Sequence, residues 1–164
     1  MKKLIIYTAI IEILFSACNP KGYKLESSVH DYYKIEKKKD SLLIFHIQEN
    51  EKEYCYSCIL KNNEYVNPQN NEVFLSTKRN IHLSKNNQSI MPNNLNTHIY
   101  KLTPQERKLI FGKKLNKVDD IYVTKYTSKD VYTHDGKEHL LRAYYYDKNY
   151  NILKIQMPIY NIYE

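Results

Sequence analysis

The stretch HLLRAYYYDKNYNILKIQMPI, residues 139–159, decides the fold class. It is two apolar arms around a polar centre. Leu141, Ala143 and Tyr145 fall on one face of the first arm by the two-residue period of a strand. Leu153, Ile155, Met157 and Ile159 do the same in the second arm, with Lys154 and Gln156 pointing outward. Asp147 to Asn151 holds the turn formers between them. The stretch therefore reads as a long hairpin. Pro158 cannot donate a ladder hydrogen bond, so the second arm ends there or lies at a sheet edge.

Working outward, the pattern stays strand-like. Ile121-Tyr122-Val123 begins a strand, and Tyr132 to Gly136 reads as a strand end with an Asp-Gly turn. Tyr32 to Gln48 reads as a second hairpin. Its turn is Lys37-Lys38-Lys39-Asp40, and Leu43, Phe45 and Ile47 share a face. Glu53 to Leu60 is a further strand, followed by an Asn62-Asn63 turn. Tyr65-Val66, Val73-Phe74-Leu75 and Ile81-His82-Leu83 are short apolar pieces between turn formers. Lys85 to Thr97 is polar and carries Pro92, so it reads as a loop. The one clear helix is TPQERKLIFG, residues 103–112. Thr103 is its N-cap, Pro104 suits the first helical position, Glu106 completes a capping box, and Gly112 is a natural stop. Phe111, Leu115 and Val118 would share a face if the helix ran past Gly112. So short a helix needs a sheet to pack on. The class is α+β: a mainly antiparallel β-sheet with one short helix.

The chain has 164 residues and a formal charge of +7, so it makes one domain with a core large enough to dispense with staples. Seventeen tyrosines stand against no tryptophan; tyrosine favours strands, one ring face packed and the hydroxyl wet. The positive charge fits a soluble surface, or attraction to anionic headgroups, acidic glycans or an acidic protein. No nucleic-acid recognition motif accompanies it.

Met1 to Cys18, MKKLIIYTAIIEILFSAC, has another character: two lysines, an apolar run from Leu4 to Phe15 interrupted by Glu12, then small residues before a cysteine. This is the layout of a secretory signal, and too short an apolar run to span a bilayer. Phe15-Ser16-Ala17-Cys18 resembles the lipobox of bacterial lipoproteins, with Phe15 where leucine is usual. The resemblance implies removal of residues 1–17 and acylation of Cys18. Several acyl chains give firm membrane anchoring. Residues 18–30 then read as a tether of turn formers, and residues 31–164 as the β-rich domain. Asn19, not an aspartate, follows Cys18, and no acidic run comes after it. Both features are compatible with an outer-membrane, periplasm-facing placement.

Few residues speak of chemistry. Cys55 and Cys58 have Cys-x-x-Cys spacing, but on a strand and without the following helix that stabilises a thiolate. In a regular strand, residues three apart are separated by about 10 Å and point to opposite faces. A bridge between them needs a bulge or a turn. The oxidising envelope favours a small disulfide; two free thiols, redox catalysis and metal binding are the alternatives. Zinc needs about four ligands, and no second cluster completes the set. His134, Asp135, Glu138 and His139 gather at the Asp-Gly turn without a metal-binding spacing. No Gly-x-Ser-x-Gly elbow or glycine-rich phosphate loop occurs, so no catalytic residue and no cofactor is assigned. The expectation is a non-enzymatic envelope lipoprotein whose sheet binds a protein partner, as an assembly accessory or a toxin-neutralising immunity protein. Leu102 to Arg107, Phe111-Gly112 and the strand ending at Tyr145 to Lys148 also resemble the small assembly lipoproteins related to BamE. That resemblance implies a helix-helix pair before a three-stranded sheet. A thiol redox protein using Cys55 and Cys58 is the remaining alternative.

Overall fold

The hairpin of residues 139–156 sits at the centre of a layered β structure. The computed structural model describes residues 21–28, 31–49, 51–78, 81–83, 95–112, 120–129, 137–157 and 162–163. β1 (Lys21–Ser28), β2 (Asp31–Lys37), β3 (Ser41–Gln48), β4 (Glu51–Lys61), β5 (Glu64–Val66) and β6 (Val73–Leu75) form one six-stranded sheet in chain order. β7 (Ile81–Leu83), β8 (Leu95–Lys101), β9 (Ile121–Lys129), β10 (Glu138–Asp147), β11 (Ile152–Gln156) and β12 (Ile162–Tyr163) form a second, also in chain order. Every neighbouring pair is antiparallel. Helix α1 (Pro104–Phe111) lies between β8 and β9 in the chain.

The two sheets share one core. Tyr33, Ile35, Leu42, Ile44 and Leu75 of the first sheet pack with Tyr144, Tyr146, Ile152 and Ile155 of the second. On the opposite face of the second sheet, Leu102, Ile121, Val123, Ala143 and Tyr145 form a smaller cluster capped by Ile110 and Phe111 of α1. The layers are therefore sheet, sheet, helix. β10 is covered on both sides, which is why Ala143 to Tyr146 are four consecutive buried residues.

Helix α1 forms as its sequence requires. The Thr103 hydroxyl accepts from Glu106 N at 3.2 Å, and Glu106 Oε2 accepts from Thr103 N at 2.9 Å. Gly112 ends it with φ +58° and its N–H on Lys108 O. Residues 113–119, with Leu115 and Val118, lie outside the described residues. So do Ile159 and the Tyr132 to Gly136 turn.

Several expectations are corrected. Lys21–Ser28 of the expected tether is strand β1, paired with β2. Its alternation places Tyr23 and Leu25 against the core, and the Lys-Gly-Tyr-Lys opening hides that pattern behind turn formers. β8 starts at Leu95, inside the segment read as loop, whose earlier part lies outside the described residues. Leu43, Phe45 and Ile47 do share one face of β3, as expected, with Phe45 and Ile47 buried, but it is Leu42 and Ile44 on the other face that enter the core between the sheets. Both faces of β3 are apolar, so alternation alone does not choose the inner one. In β11, Lys154 is buried at 4 % exposure instead of pointing outward. A bulge pairs Tyr145 with Lys154 and Tyr146 with Ile152, leaving Leu153 as the extra residue. Leu153 consequently packs on the helix side, whereas Ile155 and Met157 face the core between the sheets. β11 ends at Gln156, ahead of Pro158, and β12 supplies the edge.

The tyrosine hydroxyls also depart from expectation. Tyr33, Tyr65, Tyr144 and Tyr146 are fully buried. Tyr146 donates to Ser76 O at 2.8 Å and accepts from Ser76 N at 3.0 Å. The Tyr150 hydroxyl donates to Asn63 O at 2.5 Å, and Tyr23 accepts from Ile152 N at 2.6 Å. Each of these bonds ties one sheet to the other. Among the described residues no buried side-chain nitrogen or oxygen lacks a partner.

Candidate functional site

Cys18 lies outside the described residues. Cys55 and Cys58 both fall in β4, a strand and not a helix start. β4 bulges at Cys55: Tyr54 pairs with Phe45 and Tyr56 with Ile44, leaving Cys55 as the extra residue. The Cys55 side chain lies outside the described ones. Cys58 sits opposite Leu42 in the core, fully buried with a free thiol. Burial pushes this thiol up to about 12, so at neutral pH it is protonated and a poor nucleophile.

His134 and Asp135 lie outside the described residues, but Glu138 and His139 open β10. Here the fold assembles a group that no local spacing announces. Glu138 Oε1 accepts from the Thr127 hydroxyl, from Asn96 Nδ2 at 2.9 Å, and lies 3.0 Å from His98 Nε2. These bonds, Thr127 first, hold the carboxyl down at about 2. Thr127 Oγ1 is also 3.2 Å from His98 Nε2. Hydroxyl, imidazole and carboxylate are the parts of a nucleophilic triad, but the wiring differs. A triad uses one ring nitrogen for the nucleophile and the other for the acid. Here one nitrogen meets both oxygens, and the Thr127 proton goes to Glu138. The arrangement is a polar ladder across β8, β9 and β10, created by the cross-strand register.

On the first sheet, His46 Nε2 meets Asp31 Oδ1 at 2.7 Å and its ring stacks on Tyr33, centroids 4.7 Å apart. Beside it an open, polar depression is lined by His46, Gln48, Glu49 and Glu51. No group of three or more His, Cys, Asp and Glu is disposed for a metal among the described residues.

Arg142 reaches between the sheets from β10, where a bulge leaves Leu141 unpaired and sets Arg142 opposite Tyr126. Nε donates to Met157 Sδ at 3.1 Å and Nη1 to the Tyr144 hydroxyl at 3.2 Å. The guanidinium is half-buried and keeps its charge. Burial holds the Tyr144 and Tyr126 phenols well above their usual range, so neither supplies a counter-charge. Sequence reasoning does not single out Arg142: in the linear chain it is one charge in an apolar strand, and only the packing of the sheets brings it to Met157. No protein-family model, curated protein or solved structure matches the chain.

Proposed function

We propose that the chain is a bacterial envelope lipoprotein, anchored by acyl chains on Cys18, whose β domain is a non-enzymatic protein-binding or accessory module. The observation that carries the anchor is the run from Lys2-Lys3 through the apolar Leu4–Phe15 segment to Ser16-Ala17-Cys18. No helix among the described residues is long and apolar enough to cross a membrane. Only Asn19 and Pro20 separate Cys18 from β1. Three extended residues span about 10 Å, so the lipid would hold the domain close to the bilayer surface, not on a long leash. The excess of lysine would then favour anionic headgroups. Placement on the periplasmic side of the outer membrane rests on the sequence around Asn19.

The binding role is supported by what the polar groups do. The Thr127–His98–Glu138 set is wired as a ladder, and the buried Cys58 thiol weighs against redox use of the Cys-x-x-Cys pair. The test combines palmitate labelling with membrane fractionation of the wild type and Cys18→Ser. The expected result is label and membrane association in the wild type, both lost in the variant. Unchanged fractionation of Cys18→Ser would overturn the anchor. Mass spectrometry of proteins co-purified from envelopes then separates an assembly partner from a toxin, and a domain that recovers neither would refute the binding role.

A further inference from the structure

We infer that Arg142 is the anchor of a carboxylate-binding site between the two sheets. Its charge is the first reason. A half-buried guanidinium ordinarily faces a carboxylate, because an unpaired charge removed from water is destabilised. Among the described residues Arg142 has no such partner: its bonds go to the Met157 thioether and the neutral Tyr144 phenol. The ion pairs Lys34–Glu36, Asp31–His46, His98–Glu138 and Lys101–Asp120 all leave it out.

The geometry is the second reason. Nε and Nη1 are held from inside by Met157 and Tyr144, which fixes the plane of the guanidinium. Nη2 has no hydrogen-bond partner among the described residues and is not fully buried, so it keeps some contact with solvent. The head is thus held with Nη2 left to bind, beside Tyr144, Tyr33 and Tyr56. Partial burial lowers the local dielectric and strengthens a charge-assisted bond. A single planar guanidinium matches a planar monoanion, a carboxylate, better than a phosphate dianion. The carboxylate belongs either to a small free acid or to an acidic side chain or terminus of a peptide. This site lies in the β domain and is independent of the Cys18 anchor.

The test uses side-chain NMR of the full chain in detergent. Its three arginines, Arg79, Arg107 and Arg142, make the Nε–Hε signals easy to assign. Sodium acetate, inorganic phosphate and a capped Asp/Glu-containing peptide are titrated separately at constant ionic strength against chloride. The expected result is a saturable shift of the Arg142 signal with acetate or peptide, and a weaker one with phosphate. Tighter binding of the peptide assigns the site to a protein partner; equal binding per carboxylate assigns it to a small acid. Arg142→Met, which fits beside Met157 and the rings, should weaken binding about tenfold or more, read by tyrosine fluorescence. No saturable Arg142 shift in the wild type overturns the inference, whatever the variant does. So does an equal response to chloride, tighter binding of phosphate, or unchanged affinity in a folded Arg142→Met.

Discussion

Glu138 shows how a surface carboxylate acquires a defined state from cross-strand neighbours. Thr127 on β9 and Asn96 and His98 on β8 converge on one of its oxygens. Its folded pKa, about 2, lies below the ordinary 4.5, so the folded state favours the ionised form. The corresponding stability is present above the ordinary value and is lost as pH falls toward the folded one. Glu138→Gln should therefore lower the unfolding midpoint at neutral pH, and the gap to wild type should close as urea melts are taken from about pH 5 to pH 2. A gap independent of pH would mean that the carboxylate's charge contributes nothing. Cys58 makes the opposite case. Its spacing from Cys55 is legible in the sequence, but its burial is not, since that depends on which face of β4 meets the other sheet. Tyrosine is ambiguous for the same reason: its hydroxyl can be wet or bonded inside, and only the facing strand decides.

Among the elements, α1 is the most legible because its signals are local. Cap, capping box, N-terminal proline and terminal glycine all lie within ten consecutive residues, and all do what their chemistry predicts. Thr103→Ala removes the acceptor for Glu106 N and should cost about 1 kcal/mol, measured by urea denaturation. A loss confined to α1 would also loosen Phe111, whose ring stands edge-on to Tyr145 at 5.7 Å. The hairpins are legible as pairs but less so as faces. Bulges at Cys55, Leu141 and Leu153 each reverse the alternation along the rest of their strand, and a bulge leaves little trace in hydrophobic periodicity. The Asn62-Asn63 turn obeys the rule for tight hairpins, both residues at positive φ. Tyr150 does not: a bulky side chain at φ +61° has no sequence signature, and it is held there by its hydroxyl on Asn63 O and its ring against Tyr65 and Tyr146.

At the scale of the whole molecule, the chain builds one sheet from its first half and the second from its remainder, then closes them face to face. β1 carries part of that closure, because Tyr23 and Leu25 join the shared core and Tyr23 bonds Ile152 across it. Removing residues 1–20 should leave the unfolding midpoint unchanged. Removing residues 1–28 should cost at least about 3 kcal/mol, from lost apolar burial and an uncovered edge on β2. Equal stability of the two truncations in urea melts would return residues 21–28 to the status of a tether. The linear chain carries the local choices: antiparallel strands, their turns and one capped helix. Each depends on residues within a few positions of one another, where propensity, capping and turn chemistry act. Which face of each strand is inside, where the bulges fall and which distant groups meet are settled by the packing of the two sheets. Those outcomes depend on contacts between residues far apart in the chain, as Tyr146 meets Ser76 and Tyr23 meets Ile152. A single sequence encodes such contacts only through the packing they produce.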